Sequence, residues 1–264
     1  MLGLLLLTLL ILLAVLAPLL SAHSPLTINL ADRQSPPNST YWLGTDRTGR
    51  DIWTRLLYGS RVSLSVGLVA VSISTGIGTI VGSVAGYYRG NLDVVLMRFT
   101  DMVMMFPSLI IIISLVAITG PSIYNAMFAI GVLGWPGIAR LVRGQFLSLR
   151  ETEFALAAQG LGALPLTIIL RHLLPNTVGT LAVAVTFAVG NAILLEAALS
   201  FLGLGVQAPT PSWGGMLRDA QTLSTLEQQP WMWLPPGLMI VSAVLSINFI
   251  GDGLRDALDP KMKI

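Results

Sequence analysis

Cysteine is absent from this sequence and charge is scarce. Without cysteine no disulfide can staple the fold and no thiolate can hold a metal. Only 11% of the 264 residues are charged, against 54% hydrophobic, and the mean hydropathy is +0.77. A water-soluble domain needs far more charge to cover its surface, so the chain belongs in a bilayer. Lysine is nearly missing too, with Lys261 and Lys263 the only two among 15 basic residues. With a net charge of +2 and no basic block, nothing offers the patch that nucleic acid requires. Histidine occurs twice, at His23 and His172, without metal-type neighbours, and both read as loop residues.

What the sequence has is long charge-free runs. A helix needs about 20 apolar residues to cross the hydrocarbon core. Met1 to Leu20 is the first such run; it lacks the basic head of a signal peptide and exceeds the usual apolar stretch of one, so it reads as a retained helix. The missing polar head leaves open a start upstream of Met1. Val62 to Tyr88 gives the second span. Met102 to Ala139 is too long for one span, and Thr119-Gly120-Pro121-Ser122 breaks it into two. Asn176 to about Leu204 and Trp231 to Gly251 complete six, which puts both termini on one side. The fold expected is an all-α membrane protein of six transmembrane helices. It divides into the first helix (1–20), a loop carrying an interfacial helix (21–61), a five-helix core (62–254) that includes the loop 148–176, and a tail (255–264). Nine basic residues fall on the side of the 140–175 loop and six on the other, five of these in the first loop. The bias places the 140–175 loop in the cytoplasm.

Gly78, Gly82 and Gly86 form a doubled G-x-x-x-G in the second span. Such spacing lets helix backbones approach closely. Packing within the chain is the plainer reading, and pairing with a second subunit the alternative.

The stretch Ser148–Asn176 reads SLRETEFALAAQGLGALPLTIILRHLLPN. Ser148 and Glu151 have capping-box spacing and predict a helix start. Phe154, Ala157, Ala158 and Leu161 follow with the i, i+3, i+4, i+7 spacing of one apolar face. Gly160 and Gly162 suit its end, Pro165 the first turn of a second short helix, and Pro175 the end of that one. Glu151, Glu153 and Gln159 on the polar side argue against an anionic membrane surface. Docking on a partner and packing on its own bundle remain open on these grounds.

This stretch resembles the "EAA" coupling loop of ATP-binding-cassette (ABC) importer permeases, E-A-A-x3-G-x9-I-x-L-P. Ala157, Ala158, Gly162, Leu174 and Pro175 fall at the required spacing. Leu156 stands for the Glu and His172 for the Ile, as in the peptide and nickel branch of that family. LGTDRTGRD at Leu43–Asp51, LSFLGLGVQAPTPSWGGML at Leu199–Leu217 and FIGDGLRDALDP at Phe249–Pro260 are similar to segments of the same branch, in the same order.

The resemblance implies a type I importer transmembrane domain in a bacterial-type inner membrane, with both termini cytoplasmic. Its cargo would be peptides, nickel or other small solutes. It implies an alternating-access partnership with a homologous permease, two ATPase subunits and an extracytoplasmic substrate-binding protein. ATP and Mg would sit on the ATPase chains, with no cofactor on this one. Glu153, Phe154, Ala157, Ala158, Leu161, Gly162, Pro165 and Pro175 would then form the ATPase-coupling contact. Pro121, Pro209, Pro211 and Trp213 would lie where the binding protein docks.

Other candidates weigh differently. Gly44-x4-Gly49-Arg50-Asp51 lacks the Lys-Ser/Thr of a phosphate loop, and no strand precedes it. Thr48–Arg61 predicts an interfacial helix, with Ile52, Trp53, Leu56 and Leu57 toward lipid and Arg50, Asp51 and Arg55 toward water. Ionisable residues inside spans are costly and default to function. Asp101 and Asp252 lie near span ends, where Arg98 and Arg255 could pair with them. Glu196 lies deep in the fifth span, and pore lining and a structural hydrogen bond are equally open for it. Asp101, Asn191, Met102, Met104, Met105 and Phe106 are candidates for a path or gate, with helix packing the rival for the methionines and Phe106. No nucleophile elbow, His-Glu-x-x-His or close acid pair in a span suggests an intramembrane enzyme. An ATP-independent transporter or channel subunit is the alternative.

Overall fold

The computed structural model describes residues 1–258, all of it helix and loop apart from one isolated antiparallel bridge between Thr45 and Asp51. The apolar N-terminal run forms α1 (Leu2–Val15), continued by the single turn α2 (Ala17–Leu20). Then come α3 (Ile52–Tyr88), α4 (Gly90–Met105), α5 (Ser108–Thr119) and α6 (Ile123–Leu149). The short α7 (Glu153–Gly160) follows, then α8 (Pro165–Thr167), a π-helical segment (Ile168–Leu173) and α9 (Leu174–Phe201), the last three one unbroken run. α10 (Trp213–Asp219), α11 (Leu223–Gln228) and α12 (Pro230–Leu258) close the fold.

Among the described residues, four helical runs are long and apolar enough to cross a membrane: Ile52–Tyr88, Ile123–Leu149, Pro165–Phe201 and Pro230–Leu258. α4 and α5 make a fifth if taken as one span, bent by 81°. The protein is thus an all-α, multi-pass membrane protein. α1, at 14 residues, is shorter than these.

The 37 residues of α3 extend about 55 Å at 1.5 Å per residue, well beyond a hydrocarbon core of about 30 Å. Its partner along most of that length is α6. Gly78, Gly82 and Gly86 all face α6, where a Cβ on Gly82 would sit 2.4 Å from the Ala139 carbonyl oxygen. The glycine spacing is therefore used for packing within the chain. α6 answers with Gly131, whose missing Cβ would meet Ile73 at 2.8 Å. Three apolar clusters stack along the bundle. One centres on Trp213 and Met232, one on Val66, Ile112 and Leu199, and one on Phe146, Ile168 and Leu173 near α7.

The structure corrects four local expectations. The second span starts at Ile52, so residues 52–61 are its first turns rather than an interfacial helix. Ile52, Leu56 and Leu57 are buried, and so are Arg50, Asp51 and Arg55. Ser148 does not cap α7: it still belongs to α6, and Thr152 is the N-cap residue. Pro175 does not end a helix, because the π segment before it widens the turn and carries the run through. Finally, Phe106-Pro107 adds a second break to the 102–139 region beside the foreseen one at 120–122. The tail motif at 249–260 runs helical to Leu258; Asp259 and Pro260, with Lys261 and Lys263, lie outside the described residues.

Candidate functional site

α7 is amphipathic in a divided way. Ala155 and Ala158 are buried and pack with Phe146, Ile168 and Leu173. Glu153, Phe154, Leu156, Ala157 and Leu161 are exposed, Leu161 at 89%. The sequence left partner docking and self-packing open, and the helix does the second with one face while keeping the other free. The spacing puts Ala158 on one face with Phe154, Ala157 and Leu161, but Ala158 is buried beside Ala155 while those three are exposed. The i, i+3 pair of alanines was the available signal.

The end of α7 is a Schellman turn. The Ala163 N–H donates to the Ala158 carbonyl at 3.1 Å and the Gly162 N–H to the Gln159 carbonyl at 3.0 Å. Gly162 takes φ +78°, a left-handed conformation that only glycine adopts freely. A Cβ there would meet nothing within 4 Å, so glycine is required by the backbone and not by crowding. Pro165 opens α8 at its first turn, exposed like Pro175.

Ionic and backbone contacts tie this loop to the bundle. Arg150 donates to the Tyr87 carbonyl, and Arg89 donates to the Leu147 carbonyl at 3.3 Å and to Glu151 at 2.5 Å. Both reach the junction of α3 and α4, where Arg89 itself has φ +57°. Beside it Arg143 on α6 makes a two-pronged contact with Asp93 on α4, at 2.5 and 2.7 Å. Asp101 pairs with Arg140 at 2.6 Å, not with the nearby Arg98. Asp252 is exposed and has no ion pair among the described residues.

At the α4–α5 elbow Met102, Met104, Met105 and Phe106 are all exposed, Met105 at 79%. They are not spent on helix packing inside this chain. Asn191 is exposed on α9.

Glu196 is sealed. It accepts hydrogen bonds from Ser63 at 2.9 Å and Ser200 at 2.7 Å with no exposed surface, and the Trp213 N–H donates to the same Ser63 at 3.3 Å. It therefore joins α3, α9 and α10. Trp213 is also fully buried and donates its indole N–H to the Leu56 carbonyl at 3.4 Å. Pro211 is buried as well, whereas Pro121 and Pro209 are exposed.

The LGTDRTGRD segment folds around Asp46. Its carboxylate accepts from the Thr48 and Arg50 N–H groups at 2.8 and 3.0 Å and pairs with Arg50 at 2.6 Å and Arg55 at 3.4 Å. Both arginines also reach Asp219 at the end of α10, at 3.2 and 3.7 Å. Burial opposes the charge of Asp46, but Arg50 and the Thr48 hydroxyl outweigh it and hold the carboxyl below its ordinary value. At Asp219 burial prevails over Arg55 and Arg50, and the carboxyl is raised. Among the described residues no group of His, Cys, Asp and Glu is arranged to hold a metal ion.

Residues 78–264 match the family described as the binding-protein-dependent transport system inner membrane component, and residues 1–37 match the N-terminal transmembrane domain of oligopeptide transport permease C. The chain belongs to this family of transport permeases. It is 47% identical to the dipeptide transport system permease protein of Alkalihalophilus pseudofirmus, over 99% of this chain and 85% of that one. It is 40% identical to the oligopeptide transport system permease protein of Bacillus subtilis, over 100% of this chain and 86% of the other. In fold it is similar to a chain of the inward-facing MetNI methionine ABC transporter, with a TM-score of 0.65 at 20% identity over 77% of this chain and 96% of that one. The protein is accordingly a permease subunit of a binding-protein-dependent importer, a transport component.

Proposed function

We propose that this permease forms half of a translocation path for peptides, with a second, homologous permease supplying the other half. Support for peptides as cargo comes from the similarity to dipeptide and oligopeptide permeases across almost the whole chain. Six spans follow if α1 and the bent α4–α5 pair each cross the membrane. The α7 end then faces the cytoplasm, with both termini on that side. ATP and Mg are bound by the two ATPase subunits, and a substrate-binding protein docks at the opposite end near the exposed Pro121 and Pro209. Pro211 and Trp213 support that end from within.

One observation carries the coupling role: α7 anchors itself with Ala155 and Ala158 while Phe154, Ala157 and Leu161 remain open. An exposed apolar helix face beside a rigid glycine turn suits a groove on a partner. ATP-driven closure of the ATPase pair would push α7, and the Arg89 and Arg150 contacts would carry the push to α3 and α4. Met102, Met105 and Phe106 at the elbow, with Asn191, are then available to the path, and Asp101 holds the elbow's helix to α6 through Arg140.

Replacing Gly162 by leucine tests this. The side chain has room, but the turn is strained, so the chain should still insert and fold. Peptide uptake and substrate-stimulated ATP hydrolysis should both be lost. Normal uptake would remove the coupling assignment from this loop.

A further inference from the structure

α1 packs against α3 and α12 and runs antiparallel to α3. Arg61 of α3 fixes the register. Its Nε donates to the Ala14 carbonyl at 2.5 Å and its Nη2 to the Val15 carbonyl at 2.8 Å. Pro18 has no N–H to give Ala14, so this helix end needs a donor from outside. The Tyr58 ring supports the guanidinium, whose carbon lies 5.2 Å from the ring centre. Arg61 is nonetheless exposed, and the two bonds occupy only two of its five N–H groups. It is also the last charge before the charge-free run 62–88.

Beyond Arg61 a cavity of about 240 Å³ lies between α1, α3, α9 and α12. Leu64 and Leu68 line it at i+3 and i+7 from Arg61, on the same face of α3. Ile11 and Leu7 line it at the matching spacing before Ala14. The cavity is therefore a slot that continues from Arg61 along two antiparallel helices. Ile11 and Leu68 are 46% and 61% exposed, which puts the mouth between α1 and α3, with Val185 and Val189 of α9 as the inner wall. The slot faces away from α6: Val183 and Phe187, on the opposite side of α9, line a different trough with Leu141.

The lining is apolar except for Thr186, whose hydroxyl donates to the Ala182 carbonyl at 2.8 Å. Such a cavity stays dry and offers no partner to the polar backbone of a peptide. Left empty, it forfeits the dispersion contacts of its walls. An apolar cavity of about 150 Å³ already takes up benzene, so this one has room for a length of hydrocarbon. Hydrocarbon joined to an anion at one end fits both the slot and Arg61.

We propose that the slot holds one acyl chain of a membrane phospholipid whose phosphate pairs with Arg61. A tail gains little from exchanging bilayer for protein. Residence is therefore set by the filled void and by the phosphate contact.

The test places the complete transporter in nanodiscs containing phosphatidylglycerol with a photoreactive diazirine on one acyl chain, and adducts are mapped by mass spectrometry. Val185 and Val189 should be labelled, although both lie inside the bundle. Ile11→Trp adds bulk at the exposed mouth. It should abolish labelling of these two residues while leaving that of Leu5 and Leu9, on the opposite side of α1, unchanged. Arg61→Gln can still donate to the Ala14 carbonyl but carries no charge. It should reduce labelling of the inner wall about 2- to 5-fold, the scale of an exposed ion pair. Diacylglycerol bearing the same diazirine chain has no phosphate, and its weaker labelling should be the same in wild type and Arg61→Gln. Absence of adducts on Val185 and Val189 in wild type, or adducts unchanged in Ile11→Trp, overturns the proposal. Equal labelling of wild type by the two lipids overturns the phosphate contact and leaves bare hydrocarbon as the ligand.

Discussion

Glu196 sits in a span, yet its two hydroxyl donors and complete burial give it the work of a joint. Glu196→Gln keeps an acceptor for Ser63 or Ser200 and should leave uptake near normal. Glu196→Ala leaves buried hydroxyls unpaired and should cost about 1–3 kcal/mol, read as a lower melting temperature in detergent. A Gln variant that melts normally but changes transport would restore a role in the path. Asp46 makes a pH prediction. Its folded pKa is lowered, so its contribution is present above the ordinary carboxylate value and is lost as pH falls through the folded value. At neutral pH Asp46→Asn should melt below wild type, and the two should converge on acidification below the usual carboxylate range. A gap that persists in strong acid would mean that charge is not what Asp46 contributes.

At the level of elements, the α3–α6 seam depends on absent side chains. Gly82→Val should cost about 1–3 kcal/mol through overpacking, because its Cβ would strike the Ala139 carbonyl. Gly76→Ala, one helix face away and in open space, should be neutral or slightly stabilising. Comparable melting of the two variants would contradict the seam. Much of this was legible in the chain: the long apolar runs, the glycine repeat, the turn at 120–122 and the glycine stop at Gly162 each rest on a local rule. What was not legible depended on partners remote in sequence. Arg55 looks like a surface residue of an interfacial helix until Asp219, 164 positions on, arrives to neutralise it beside Asp46. Trp213 looks like an exposed loop aromatic until α3 and α12 close over it. Ser148 has capping-box spacing, but α6 had already claimed it, and the π segment before Pro175 has no counterpart among simple proline rules.

For the whole molecule, the exposed part of α7 is the point at which other chains should be felt. Leu161→Asp, fully solvent-facing in the isolated chain, should leave its thermal stability unchanged while reducing the ATPase subunits that co-purify with it, by tenfold or so if about 1.4 kcal/mol of apolar contact is lost. Undiminished recovery would mean that the open face meets something else. The length of α3 bears on the same question. Its first turn is clamped by the charges around Asp46, and its last turn is held by Arg150 at Tyr87. Helices are stiff along their axis, so this one acts as a shaft keyed at both ends. A few degrees of rotation imposed at the α7 end would emerge at the far loop, where Arg50 and Arg55 fasten α10 through Asp219. The two ends of the bundle are thus joined along a single uninterrupted element.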